Sequence, residues 1–251
     1  MIHASRLFRV LLPVVCLGLL PGLRADDALI AKARAFIGSD AALDAVQALR
    51  MVGQLEVVDG PDSTPGTAKI EILFQKPDRQ RITAASEARI EVTALDGYDA
   101  WSRVSDPRDA TQWQVTLLGP DQIKRLRANT FENLSFYRGL GARGARIEDR
   151  GTATVDGVAC RKLAFVHAPD IIFTRSFDVA TGRLVLTETD SGTQIREEGE
   201  LRVSGLRFPK RIVTLNTLPE GGTRTIRVTF DEITVNPALD PEIFAVPVLA
   251  N

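Results

Sequence analysis

From residue 152 to residue 235 the chain alternates between short apolar-rich runs and turn signals. Val155-Asp156-Gly157-Val158 places Asp-Gly at a hairpin tip, where the positive φ of a two-residue turn is needed. Runs at 160–166, 171–179, 184–187, 195–203, 208–217 and 223–235 follow, parted by Ala180-Thr181-Gly182, Ser191-Gly192 and Glu220-Gly221-Gly222. Connections this short cannot hold a crossover helix, so neighbouring strands are predicted to be antiparallel. The last run sets Ile226, Val228 and Phe230 on one face against Thr225, Arg227 and Thr229 on the other. Asp231-Glu232 breaks that phase before Ile233 and Val235 resume it, which predicts a β-bulge. A wide meander with one dry face must curl around that face or stack on something.

The first half repeats the pattern. Strands are predicted at 51–58, 67–74, 79–83, 89–95 and 98–104, with Asp96-Gly97 as a hairpin tip and 105–110 as a polar loop. Within the second strand Ala68, Ile70, Ile72 and Phe74 oppose Lys69, Glu71 and Leu73. Three stretches carry helical periodicity instead. Residues 28–37 align Leu29, Ala33, Phe36 and Ile37. Ser39 or Asp40 then caps a short run through Leu43, Val46 and Leu49. Residues 122–137 align Ile123, Leu126, Phe131 and Leu134 opposite Lys124, Arg125 and Arg127, making a basic and aromatic helix. That helix separates about five strands from about seven. The predicted class is therefore α+β, mainly β, with one strongly curved antiparallel sheet whose concave apolar face is covered by helices.

Composition narrows the function classes. The chain has 251 residues, 44% hydrophobic and 25% charged, with a net charge of −1, so nothing favours nucleic acid. Cys16 and Cys160 are the only cysteines, and His3 and His167 the only histidines. This poverty argues against a disulfide framework, a metal site and Ser-His catalysis; no cofactor and no enzymatic activity are expected. His167 near Asp170 reads as a loop histidine, Glu197-Glu198 as an exposed strand, and the Gly-rich 139–144 as a flexible joint. Cys160 reads as a small apolar core group.

The first 25 residues read as an export signal: Arg6 and Arg9, an apolar stretch over 10–20, then Leu23-Arg24-Ala25 as a cleavage site. Val15 before Cys16, with apolar residues continuing beyond it, argues against lipidation there. Losing Arg6, Arg9 and Arg24 from 31 basic residues, against 32 acidic ones, takes the net charge to about −4. Residues 26–251 show no linker and read as a single domain.

The order of several short motifs is distinctive. Ala33-Arg34-Ala35-Phe36-Ile37-Gly38 precedes the first strand, and Lys76-Pro77-Asp78-Arg79-Gln80-Arg81 follows the second. Asp96-Gly97-Tyr98-Asp99-Ala100-Trp101 comes next, then Val155-Asp156-Gly157-Val158-Ala159-Cys160-Arg161-Lys162-Leu163 and Phe177-Asp178-Val179-Ala180-Thr181-Gly182-Arg183-Leu184. Phe208-Pro209-Lys210-Arg211 and Asp231-Glu232-Ile233-Thr234-Val235-Asn236-Pro237 lead to the end. In this order the chain resembles the outer-membrane lipoprotein-sorting proteins and their LolA-like relatives over nearly all of residues 26–251.

The resemblance implies an unclosed β-barrel with helices over its concave side. It also implies a periplasmic, non-enzymatic carrier or chaperone for lipoprotein acyl chains or other lipids, monomeric, meeting an inner- or outer-membrane partner protein. A protein-interaction or lipid-sensor module on the same scaffold is the alternative. Family carriers latch a lid with a polar residue, usually an arginine, but no motif identifies that arginine here. The helix 122–137 is the lid candidate, or else an amphipathic helix packed permanently on the sheet. Candidate cavity or rim residues are Ile72, Phe74, Val92, Tyr98, Trp101, Trp113, Leu126, Phe131 and Leu134, with the aromatics open to a plain core or surface role. Arg79, Arg81, Arg103, Lys124, Arg125 and Arg127 either gather at a mouth or form solvated faces.

Overall fold

The computed structural model describes residues 25–60, 65–218 and 221–247. The predicted export signal through Arg24, with Cys16, lies outside the described residues, as do Pro61 and Glu220 of two predicted turns. Helix α1 (Ala25–Ile37) and the short α2 (Asp40–Asp44) come first. Ser39 caps α2 by accepting from the Ala42 amide. Six strands follow: β1 (Ala48–Asp59), β2 (Gly66–Gln75), β3 (Arg79–Ala85), β4 (Ile90–Asp96), β5 (Asp99–Asp106) and β6 (Asp109–Leu117). Helix α3 (Pro120–Ser135) and a 3-10 turn at Leu140–Arg143 then lead into β7 (Arg146–Val155), β8 (Val158–Ala168), β9 (Ile171–Asp178), β10 (Leu184–Thr189) and β11 (Gln194–Glu198). A small hairpin, β12 (Leu201–Val203) and β13 (Leu206–Phe208), precedes β14 (Arg211–Thr217) and β15 (Thr223–Val235).

Thirteen strands form one antiparallel sheet in the order β6-β5-β4-β3-β2-β1-β15-β14-β11-β10-β9-β8-β7. It is two meanders sewn together by the pairing of β1 with β15. The sheet is not closed into a barrel, as expected. The predicted bulge is present: Val52 pairs with Glu232 but Gly53 pairs with Phe230, so Asp231 is the extra residue. Gly53 is required at this seam. A Cβ there would lie 2.0 Å from the Thr229 carbonyl oxygen and 2.8 Å from Phe230 Cα. Across the bulge, Phe230 and Ile233 both stay on the dry face.

Three elements differ from the sequence reading. β6 occupies part of the expected polar loop; its Thr111-Gln112 stretch is polar because an edge strand meets water on one side. Leu49 belongs to β1, not to a helix, because α2 ends at Asp44 and Leu49 pairs with Phe74 and Val235. The run 195–203 is broken at Gly199, and 201–208 leaves the sheet as the β12–β13 hairpin, turning at Ser204 (φ 52) and Gly205 (φ 76). The hairpin's Leu201, Val203, Leu206 and Phe208 join the core on the concave side.

Two apolar cores sit on that side. One gathers α2, the hairpin and the centre of the sheet through Leu43, Met51, Phe74, Leu206 and Phe230. The other gathers α1 and the β8–β9 half through Leu29, Ala33, Leu163, Phe165 and Phe177. Helix α1 reaches both, since Ile37 packs on the first and Ala33 on the second. It lies close over the β9–β10 turn, where a Cβ on Gly182 (φ 79) would be 2.6 Å from the Lys32 carbonyl carbon. Cys160 is buried, as expected of a small apolar group. The residues after β15 cross the convex face, where Phe244 is fully buried and its carbonyl accepts from the Trp101 indole at 3.0 Å.

Candidate functional site

Between the two cores lies a cavity of about 620 Å³, within the ~300–1,000 Å³ typical of ligand cavities. Its walls are unequal. Leu49, Met51, Ile72, Phe74, Ile82 and Phe230 make one side apolar. The other side carries a polar row on β9, β10, β11 and β14. Arg175 pairs with Thr187, Thr187 with Ile195, and Ile195 with Thr214, so all four share the concave face. Glu197, two residues beyond Ile195, shares it too. Phe36 of α1 and Asn129, Glu132 and Asn133 of α3 line the cavity from above.

The end of α3 aims two aromatics at different walls. Phe136 (φ 47) and Tyr137 (φ 69) are successive left-handed residues, a costly state for aromatic side chains. Phe136 packs into the central core and Tyr137 against Phe165 and Phe177. Burial raises the Tyr137 phenol well above its ordinary pKa. Arg34 of α1 holds this turn in place. Its side chain is 2% exposed, its Nη1 donates to the Phe136 carbonyl at 2.9 Å, and Nε and Nη2 pair with Asp40 and Asp44 at 2.7 and 2.8 Å. Arg138 pairs with the same two carboxylates. Both arginines hold the Asp40 carboxyl below its usual range, Arg34 most.

Helix α3 is also tied to both halves of the sheet. Arg125 binds Asp190 at 3.0 and 2.8 Å and donates to the Asp170 carbonyl at 2.7 Å. Arg127 binds Asp78, in the β2–β3 connection, at 2.8 Å, and Arg143 grips the same buried carboxylate. Gly139 (φ 80) and Gly144 (φ 73) flank the 3-10 turn that positions Arg143, so the stretch 139–144 is a built turn holding an ion pair, not a flexible joint.

Beneath α3 lies a buried polar cluster. Glu132 bonds His167 Nε2 at 2.5 Å with one oxygen and Arg175 Nη1 with the other. Burial pushes the Glu132 carboxyl up, but the Arg175 charge and the two hydrogen bonds bring it below its ordinary value overall. The Arg175 guanidinium stacks over Phe165 at 4.5 Å, and its buried Nε–H has no partner among the described residues. His167 thus lies at the end of β8, packed edge-on against Phe131 and Phe173, and not in a loop. It lines a second cavity of about 550 Å³ with Tyr98, Ile123, Lys124, Arg127 and Arg143. Glu132 and His167 therefore stand between the two cavities.

Glu197 is exposed on its strand, as expected, and faces the main cavity. Desolvation raises its carboxyl pKa, with Arg175 opposing. It makes no hydrogen bond or ion pair among the described residues.

The predicted site residues scatter. Ile72 and Phe74 line the main cavity. Leu134 is buried in the central core and Phe131 packs on the β8–β9 core under the Arg143 guanidinium. Leu126 is half-buried on α3 and lines neither cavity. Tyr98 caps the β4–β5 turn, 77% exposed, with the Arg127 guanidinium 3.8 Å above its ring. Val92 and Trp101 lie on the convex face with Ala94, because Ala94 pairs with Trp101 while the neighbouring Leu95 points inward. Trp113 is exposed on edge strand β6. Arg34, Glu132 and Arg175 were not anticipated, and the sequence pattern suggested only a loop histidine for His167 and an exposed strand residue for Glu197. Period-two phase held a signal for Arg175, which shares a face with Phe173 and Phe177, and for Glu197, which shares one with Ile195. Among the described residues no group of His, Cys, Asp and Glu is placed to hold a metal ion, and no helix is long and apolar enough to cross a membrane.

No family model matches the sequence, and no curated protein matches it. Solved structures do match. A LolA superfamily protein from Nitrosomonas europaea aligns with a TM-score of 0.58 at 14% identity, over 87% of this chain and 96% of that one. A DUF1329 family protein from Desulfovibrio piger aligns at 0.55 and 10%, over 87% and 96%. A domain described as an outer membrane lipoprotein-sorting protein, from Vibrio parahaemolyticus, aligns at 0.54 and 10%, over 86% and 94%. The fold is LolA-like.

Proposed function

We propose that this chain is a non-enzymatic carrier or chaperone, which shields the acyl chains of a lipoprotein or another lipid from water in the periplasm. The observation that carries the reading is the 620 Å³ cavity, held open between two cores and lined on one side by Leu49, Met51, Ile72, Phe74 and Phe230. Each acyl CH₂ moved there from water contributes about 0.8 kcal/mol. Binding on that scale makes release slow unless a cover moves. Helix α3 is the cover in this reading, with Arg34, Arg125 and Arg127 as its ties. The LolA-like fold supports the same reading. Release follows when a partner binds the state in which these ties are broken better than the closed state.

The test is native mass spectrometry of the chain from Asp26 onward, purified gently from the soluble fraction of its own host. A co-purifying lipid or acylated peptide is expected, and its mass names the cargo class. Protein that arrives empty and also refuses a fluorescent acyl probe would refute the carrier and leave the interaction-module alternative, for which Trp113 and Leu117 on the free edge strand β6 are the exposed apolar residues.

A further inference from the structure

We propose that the second cavity, beside the first half of α3, is a binding site for a phosphate ester with a small apolar body. Glu132 and His167 stand between it and the acyl cavity, so the inference goes beyond the carrier reading and does not depend on it.

The cavity of about 550 Å³ is lined by three cations, Lys124, Arg127 and Arg143, and by no carboxylate. Nearby carboxylates offset only part of this charge. Asp78, 8% exposed at its side chain, is shared: Arg127 binds it at 2.8 Å and Arg143 at 2.5 and 2.6 Å. One buried carboxylate against two guanidinium groups leaves a positive charge over. Asp121 meets Lys124 only at 3.4 Å, in a pair exposed on both sides, so water screens it. Asp170 and Asp190, on the neighbouring turns, act on Arg125. Glu132, the partner of His167, is also bound to Arg175 and lines the main cavity.

The two arginines are held in place, unlike a freely solvated surface charge. The Arg127 guanidinium lies 3.8 Å over the Tyr98 ring, and that of Arg143 lies 4.8 Å over the Phe131 ring. Arg143 uses only Nη2 on Asp78. Its Nε–H and Nη1 make no hydrogen bond among the described residues and keep accessible surface. Such a guanidinium edge matches two oxygens of an oxyanion. Cations gathered in a concave, partly buried site attract an anion more strongly than the same charges spread over a surface. A phosphomonoester carries about −1.5 to −2 at neutral pH, which suits the unbalanced charge. Ile123, Ala128, Ile171 and the Tyr98 ring give the walls an apolar part, which a bare phosphate ion does not use.

Isothermal titration calorimetry at low salt compares phenyl phosphate, phenol and inorganic phosphate on the chain from Asp26 onward. Phenyl phosphate is expected to bind about tenfold more tightly than either of the others. Its binding should weaken as salt is added, and it should leave a fluorescent acyl probe in the main cavity undisplaced. Lys124→Glu and Arg143→Gln should each lower its affinity several-fold. Lys124 is exposed, and Arg127 still neutralises Asp78 when Arg143 is lost, so both variants are expected to fold; if Arg143→Gln does not, Lys124→Glu and the ligand series decide. Co-sedimentation with phosphatidylcholine vesicles, with and without phosphatidic acid, names the source of the ester. Capture that needs phosphatidic acid and is lost in the same variants assigns a membrane lipid head. No capture, beside tight binding of phenyl phosphate, assigns a soluble ester. Phenyl phosphate that binds no more tightly than phenol or inorganic phosphate, keeps its affinity in the variants, or displaces the acyl probe would overturn the site and leave the carrier standing. If the acyl probe itself does not bind, the carrier reading fails and the ester series still tests this site.

Discussion

The backbone carbonyl of Phe136 accepts a hydrogen bond from Arg34 Nη1 at 2.9 Å, across 102 residues of chain. With a longer bond from the same nitrogen to the Ser135 carbonyl at 3.5 Å, it joins α1 to the strained end of α3. Without it, a carbonyl in a two-residue left-handed turn would face a dry interior. The same guanidinium holds Asp40 and Asp44, so one side chain fixes all three helices. One arginine thus ties helices α1 and α3 together, at a position that no motif marks.

Arg34→Ala should lower stability by about 2–4 kcal/mol, the cost of breaking a mostly buried charged network whose carboxylates can return to water. Urea unfolding measures the loss. Amide exchange should rise first around 130–138, and a loss spread evenly over the sheet would contradict that tie.

Glu132 and Glu197 should shape the pH dependence with opposite signs. The Glu132 pKa is lowered in the fold, so its contribution is full above the unfolded value of about 4.3 and is lost as pH falls through the native one. Glu132→Gln should flatten that acid limb and cost about 3–5 kcal/mol at neutral pH, because Arg175 is left buried and unpaired. The Glu197 pKa is raised, so stability is full below its unfolded value and declines as pH rises through the native one. Glu197→Gln should therefore gain stability at pH 7 relative to pH 4. Thermal unfolding from pH 3 to 8 reads both signs.

Gly53→Ala should break the seam between the two meanders. The added methyl meets backbone on β15, which cannot swing aside as a side chain can. A loss of about 3 kcal/mol, the upper end for overpacking, or failure to fold is expected by far-UV circular dichroism and urea titration. A variant as stable as the parent would mean that β1 and β15 are not paired in this register.

Arg125→Ala should separate motion from stability. Its pair with Asp190 is bidentate but half-exposed, so the cost is about 1 kcal/mol or less. Release of a bound acyl probe should nevertheless quicken several-fold, because α3 loses its tie to the β10–β11 turn. Unchanged release in stopped-flow competition would count against α3 as the moving cover.

Much of the fold was legible locally. Alternation, Asp-Gly turns and broken phase are short-range signals, and they located most strands, the bulge at Asp231 and the three helical runs. The errors have physical sources. β6 was hidden because a polar edge strand loses its alternation. The β12–β13 hairpin was hidden because Val203 and Leu206 are as apolar as sheet residues, and nothing local says that the chain leaves the sheet at Gly199. The site was less legible still. Ile72 and Phe74 were placed by their phase, but Trp101, equally apolar, faces outward under Phe244, because which face of β5 is covered depends on a segment 143 residues away.

The sequence by itself determined the class of structure: antiparallel strands, one dry face, an amphipathic α3 and too few histidines and cysteines for most catalytic sites. Only the tertiary structure decided what that dry face encloses. β6 and β7 are consecutive strands, yet they stand at opposite edges of the thirteen-stranded order. The chain between them must cross the open side of the curved sheet, and α3 is what crosses. That crossing brings Arg34 to Phe136, Glu132 to His167 and Arg175, and leaves Glu197 facing a cavity. None of these pairs is close in sequence. Their meeting follows from curvature and strand order, which are properties of the whole sheet and of no single stretch of it.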